Sequence, residues 1–155
     1  GKTTLLKILA GIYKPSKGYV VRRASTIYVP ENPLLYISKP LPREELHSSN
    51  VDPDRVDEIV EVFNLKRVLD KPIARLSSGE RRRLALASAI LRNYRVYLLD
   101  EPTGGLDLDT FYSLINALEY IREKRGTIII AHHDPRLNEF LDRSCVLGDG
   151  VLKCM

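Results

Sequence analysis

The chain has 155 residues, 44% of them hydrophobic, with 24 basic and 20 acidic side chains and a formal charge of +4. That length suits one domain with a real core. No apolar run approaches the length of a membrane span, no charged-then-apolar leader opens the chain, and so mild a charge gives no reason to expect a nucleic-acid partner.

In chain order, Gly1 to Ala10 reads as the start of a helix closed by Gly11. Gly18 to Val21 and Ser25 to Val29 read as short strands after turn material at Pro15 to Gly18. From Pro30 to about Asn50 the chain is rich in Pro, Ser and charge, with little periodicity. Asp52-Pro53 starts a helix, because Asp can cap and Pro suits the first helical position; Val56, Ile59, Val60 and Phe63 then recur at helical spacing. Glu80 to Leu91 is a further helix, and the triplet Arg81 to Arg83 reads as its solvated face.

After Asn93 the character changes. Val96 to Leu99 and Thr127 to Ala131 are continuous apolar runs, as strands buried on both faces of a parallel sheet should be. Phe111 to Lys124 is an amphipathic helix between them, ended by Gly126. Asp134-Pro135 repeats the capping signal for a helix through Leu141, and Cys145 to Leu152 reads as a hairpin around Gly148-Asp149-Gly150. Cys145 and Cys154 lack metal-ligand spacing and read as two free thiols, with a disulfide between them left open. The tyrosines, Tyr36 among them, read as packing or surface residues. Strands alternating with helices at both ends, and helices alone in the middle, predict an α/β core with a helical insertion.

Two segments carry chemistry. Gly1-Lys2-Thr3-Thr4 opening a helix matches the end of the phosphate-loop pattern G-x-x-x-x-G-K-S/T, so the chain is expected to begin inside that loop. A helix start offers free N–H groups and a positive dipole end to phosphate oxygens. Lys2 would reach the β- and γ-phosphates and the Thr3 hydroxyl would ligate Mg²⁺. Taken alone, these four residues are equally an ordinary helix start. The second segment, Val96-Tyr97-Leu98-Leu99-Asp100-Glu101, puts two carboxylates at the C-terminal edge of a buried strand, where open α/β sheets bind ligands. Asp100 would hold Mg²⁺ through water and Glu101 would polarise the attacking water.

With Leu76-Ser77-Ser78-Gly79-Glu80 before the arginine-rich helix and Asp100-Glu101-Pro102-Thr103 after it, nearly the whole chain resembles the ATP-binding cassette of ABC ATPases. Gly104-Gly105-Leu106-Asp107 is similar to the family's D-loop, Ile129 to Asp134 to its switch segment, and Tyr28-Val29-Pro30-Glu31 to its Q-loop. The resemblance implies a P-loop fold, with residues 1–35 and 95–155 as a RecA-like core and 36–94 as a helical subdomain. It implies ATP and Mg²⁺ as cofactors, with Thr3, Glu31 and Asp100 toward the metal and Glu101 and His133 as catalytic groups. Gly1, Lys2, Thr3 and Thr4 would bind nucleotide from one chain. Ser77, Ser78, Gly79 and Glu80 would close on it from a second cassette, docked head to tail, with Asp107 linking the two sites.

The resemblance further implies the ATPase subunit of an ABC transporter, bound to transmembrane permease subunits at the cytoplasmic face of a membrane, with no nucleic acid expected. The alternatives are a soluble member acting on ribosomes, DNA or cluster assembly, and a nucleotide-binding module with impaired hydrolysis. Three positions depart from the family pattern. Glu31 and Glu80 stand where Gln is common, in a chain with no glutamine at all, and Ser78 replaces a frequent Gly. Glu31 adds negative charge beside the expected γ-phosphate.

Overall fold

The computed structural model describes residues 1–48, 51–104 and 106–154. Asn50, the expected end of the Pro- and Ser-rich stretch, and Gly105 of the D-loop-like segment lie outside these. Three strands, β1 (Thr26–Val29), β2 (Val96–Asp100) and β3 (Thr127–Ala131), form a parallel sheet in the order β1-β2-β3. Thr26 pairs with Val96, Val96 with Thr127, and Asp100 with Ala131. Side chains alternate across the sheet, so β2 feeds two cores. Leu98 joins Leu6 and Ala131 on the face covered by α1 (Lys2–Ala10). Tyr97 and Leu99 join the larger core on the other face.

That larger core is built by α3 (Pro53–Val62), α4 (Ser78–Leu91) and α5 (Leu108–Glu123). Phe63, Leu84, Ile90, Leu91 and Leu114 are nearly or wholly removed from solvent there. Every residue of α4 from Leu84 to Leu91 is buried, so tertiary packing rather than a single apolar stripe holds this helix. Asp52 caps α3 by accepting from the Asp54 amide, and Asp107 caps α5 by accepting from the Thr110 amide.

Several expectations change. Gly18 to Val21 is not a strand: among the described residues no strand pairs with it, and Tyr19 and Val21 stand in solvent, where an unpaired strand gains nothing. Burial on both faces holds for β2 but not for β3, whose Ile128 and Ile130 pack on the larger core while Ile129, on the other face, is 40% exposed. Residues Pro135–Phe140 form a 3₁₀ helix, not an α-helix; six residues close i→i+3 turns more readily than they nucleate a longer helix.

The stretch after Pro30 contains a helix that periodicity does not show, α2 (Pro42–His47). Its Glu45 is completely buried and accepts from the Ser38 and Lys39 amides and the Ser88 hydroxyl, which ties α2 to α4. The C-terminal hairpin pairs β4 (Cys145–Gly148) with β5 (Val151–Cys154) through a left-handed turn at Asp149 and Gly150. Cys145 and Cys154 face each other across it and form a disulfide rather than two free thiols, because the register sets them directly opposite.

Candidate functional site

The C-terminal ends of the parallel strands and the N-terminus of α1 meet at one edge of the sheet. Gly1 caps α1 with no side-chain hydrogen bond, so the first amides of α1 keep the open, positive character of a helix start. Gly1 and Thr4 are exposed. Next to them Asp100 is buried, at 3% exposure, with both oxygens engaged. The Thr3 hydroxyl donates to Oδ1 at 3.1 Å and the Tyr28 hydroxyl donates to Oδ2 at 2.8 Å. Burial first, then the bond to Asp100, pushes the Tyr28 phenol above its ordinary range, so it remains a donor. Tyr28 is thus no mere packing residue. An aromatic in a strand gives no sign, in sequence, that its hydroxyl reaches a carboxylate 72 residues away.

Glu101 follows at the strand end in a left-handed conformation, φ 46°, uncommon for a side-chain-bearing residue and frequent at functional sites. Its amide donates to the Ala131 carbonyl at 2.8 Å. Lys2 Nζ lies 3.7 Å from Oε1, and His133 Nδ1 lies 2.7 Å from Oε2. The histidine contact is one of proximity only, since Oε2 is buried without an aligned hydrogen bond. A buried carboxylate oxygen with an unfilled acceptor site suits a base awaiting a proton. His132 turns away, its ring contacting the Asp134 carbonyl.

Glu31 is exposed and shares a cleft with Thr3, Tyr28 and Asp100. The oxygen donors of Thr3 and Asp100 suit Mg²⁺, which keeps several waters and takes few protein ligands beside a phosphate. Among the described residues no cluster of three or more acidic, His or Cys side chains could hold a metal ion.

Among the described residues no hydrogen bond or ion pair joins Ser77 to Glu80 to Lys2, Thr3, Asp100 or Glu101. Ser77 and Glu80 form a capping box, Ser77 Oγ accepting from the Glu80 amide at 3.1 Å and Glu80 Oε2 from the Ser77 amide at 2.6 Å. Gly79 packs so closely on α5 that a Cβ would stand 2.9 Å from Thr110 Oγ1. Asp107 spends its carboxylate on Thr110, whose side chain and then backbone hold it below the usual carboxylate range.

The Glu80 carboxyl is also held low, foremost by the Ser77 amide and with help from Lys71, against the opposing effect of burial. A depressed carboxyl stabilises the fold above its unfolded value, near 4.3, and loses that contribution as pH falls through the lower folded value. Glu80→Ala is therefore expected to lower the urea midpoint at pH 7, by a cap's worth of about 1 kcal/mol, and to approach the parent as pH falls through the carboxyl's lowered folded value. A deficit that widens on acidification would show that the carboxylate is not its source.

The arginine triplet is not a solvated face. Arg81 donates to the Ala74 carbonyl, Arg83 to Thr110 Oγ1, and Arg82 to the carbonyls of Glu101 and Glu31.

Residues 1–104 match the family model described as ABC transporter. The chain is 33% identical to the cytochrome c biogenesis ATP-binding export protein CcmA of Sphingopyxis alaskensis, over 86% of its own length and 70% of that protein's. Among solved structures it resembles an ATP-binding cassette in a dimeric post-hydrolysis state bound to ADP and Pi, at 26% identity and TM-score 0.79, covering 97% of this chain and 77% of that one. It also resembles an archaeal ribosome recycling factor solved with the ribosomal stalk protein aP1, at 26% identity and TM-score 0.81, covering 99% of this chain and 31% of that one.

Proposed function

The chain belongs to the ABC transporter family and is an ABC-type ATPase; on that premise we propose that it powers a transporter by hydrolysing ATP at a site shared between two head-to-tail cassettes. The observation that carries this reading is the convergence of Lys2, Thr3, Asp100, Glu101 and His133 at one sheet edge. The start of α1 offers open amides to phosphate, and the capped start of α4 at Ser77 would meet the same nucleotide from a second copy.

The open amides of α1 and the Lys2 ammonium bind the phosphates. Thr3 and Asp100 would hold Mg²⁺, which supplies charge neutralisation on the β- and γ-phosphates. Glu101 Oε2 accepts the proton of the attacking water as its oxygen bonds to the γ-phosphorus, and the bond to the bridging oxygen breaks to release ADP and phosphate. His133 stands beside Glu101, placed to meet the γ-phosphate oxygens. Ser77 and Gly79 of the second copy close over the same phosphates, and Asp107 lies near the junction of the two sites. Residues 36–94 form the helical part that carries this second surface.

A transmembrane permease is the proposed partner, at the cytoplasmic face of a membrane. Among the described residues no helix is long and apolar enough to cross a membrane. Beside Glu31, Leu34 and Leu35 are 46% and 77% exposed, an apolar patch suited to a permease helix. The likeness to a ribosome recycling factor supports a second reading, a soluble ATPase acting on ribosomes. Co-purification with membrane subunits rather than ribosomes separates the two.

The shared site is tested with full-length Glu101→Gln, in which bound ATP should persist. Light scattering is expected to show a monomer without nucleotide and a dimer with ATP. A monomer at saturating ATP would remove the shared site.

A further inference from the structure

We propose that Arg82 is a positioning residue that holds the backbone of Glu101 in its working conformation and ties it to the helix bearing Ser77 to Glu80; this rests on the function proposed above. Arg82 lies on the second turn of α4, and its guanidinium spans three segments distant in sequence. One amino group donates to the Glu101 carbonyl at 2.7 Å and the other to the Glu31 carbonyl at 3.1 Å. The planar fork of arginine suits such a double contact, whereas lysine offers one compact charge on a flexible stem.

Glu101 needs this support. Its left-handed backbone is costly for a residue with a side chain, and that conformation sends the carboxylate toward Lys2 and His133. The strand side is anchored by the Ala131 carbonyl. On the other side the Glu101 carbonyl accepts from the Gly104 amide at a long 3.3 Å and from Arg82 at 2.7 Å, so the charged donor makes the shorter contact. Neither neighbouring arginine reaches this turn.

Arg82 also brings its guanidinium to the Glu31 backbone, through the carbonyl it bonds there. Any shift of the start of α4 as a second cassette docks pulls on the Glu101 carbonyl. Closure of the dimer and alignment of the base are thereby linked by one side chain.

The test compares full-length parent, Arg82→Ala and Arg82→Lys for kcat, KM for ATP and thermal midpoint. Arg82→Ala is expected to lower kcat about ten- to hundredfold, the loss of charged hydrogen bonds, with KM nearly unchanged. Arg82→Lys should recover only part of it, and keeps the question answerable if the alanine variant does not fold. A kcat close to the parent's in either variant, or a loss carried by KM and the thermal midpoint instead, would overturn the role. A parent without turnover would overturn the proposed function itself, and this role with it.

Discussion

Replacing Glu101 with glutamine is expected to cut steady-state ATP hydrolysis by the full-length protein about 10²–10⁴-fold while ATP binding survives. Glutamine keeps the shape and the contacts of the side chain yet cannot take a proton. The carboxylate sits where such a loss should be felt most. Oε1 faces Lys2, Oε2 is buried beside His133 with an acceptor site unfilled, and the backbone is locked at φ 46°. Phosphate release measured beside ATP binding separates chemistry from affinity. Turnover equal to the parent's would remove Glu101 as the base, and lost binding would mean that its charge serves to build the pocket instead.

Lys2→Ala should act on the other quantity. Lys2 is the first residue of α1, where uncapped amides and the dipole already favour phosphate, and its ammonium adds charged hydrogen bonds to the same oxygens. Such bonds are worth about 1.5–3 kcal/mol, so the dissociation constant for ATP is expected to rise roughly 10- to 150-fold by calorimetry. The fold should be spared, since Lys2 contributes nothing to the core and its ion pair with Glu101 is half exposed, where such pairs add little. Unchanged affinity would detach Lys2 from the phosphates. Lost affinity together with a lowered melting point would mean that the helix start itself had been damaged.

Much of the site is legible in the sequence because its residues lie at the junctions of regular elements. The run Val96 to Leu99 can only be a buried strand, so Asp100 and Glu101 must stand at its end. Gly1 to Thr4 must open a helix, because Leu5 to Ala10 follow at helical spacing and Gly11 adopts the left-handed stop at φ 80°. The misread segments are those whose state depends on partners far along the chain. Gly18 to Val21 has the composition of a strand but no neighbour to pair with among the described residues. The helix α2 lacks a periodic pattern, yet Glu45 is drawn into the interior by amides and a hydroxyl from two other segments. The disulfide follows from the hairpin's register, which spacing alone left open.

Local rules therefore determined, without any coordinates, the helices and strands that carry the site and the side chains at their ends, because capping, periodicity and apolar runs act over a few residues. Only the tertiary structure decided that Tyr28 braces Asp100 and that Arg82 grips the Glu101 carbonyl. The physical reason is that a hydroxyl or guanidinium chooses its acceptor by distance and burial in the folded chain, and a backbone carbonyl leaves no mark in the sequence of the residue that will find it.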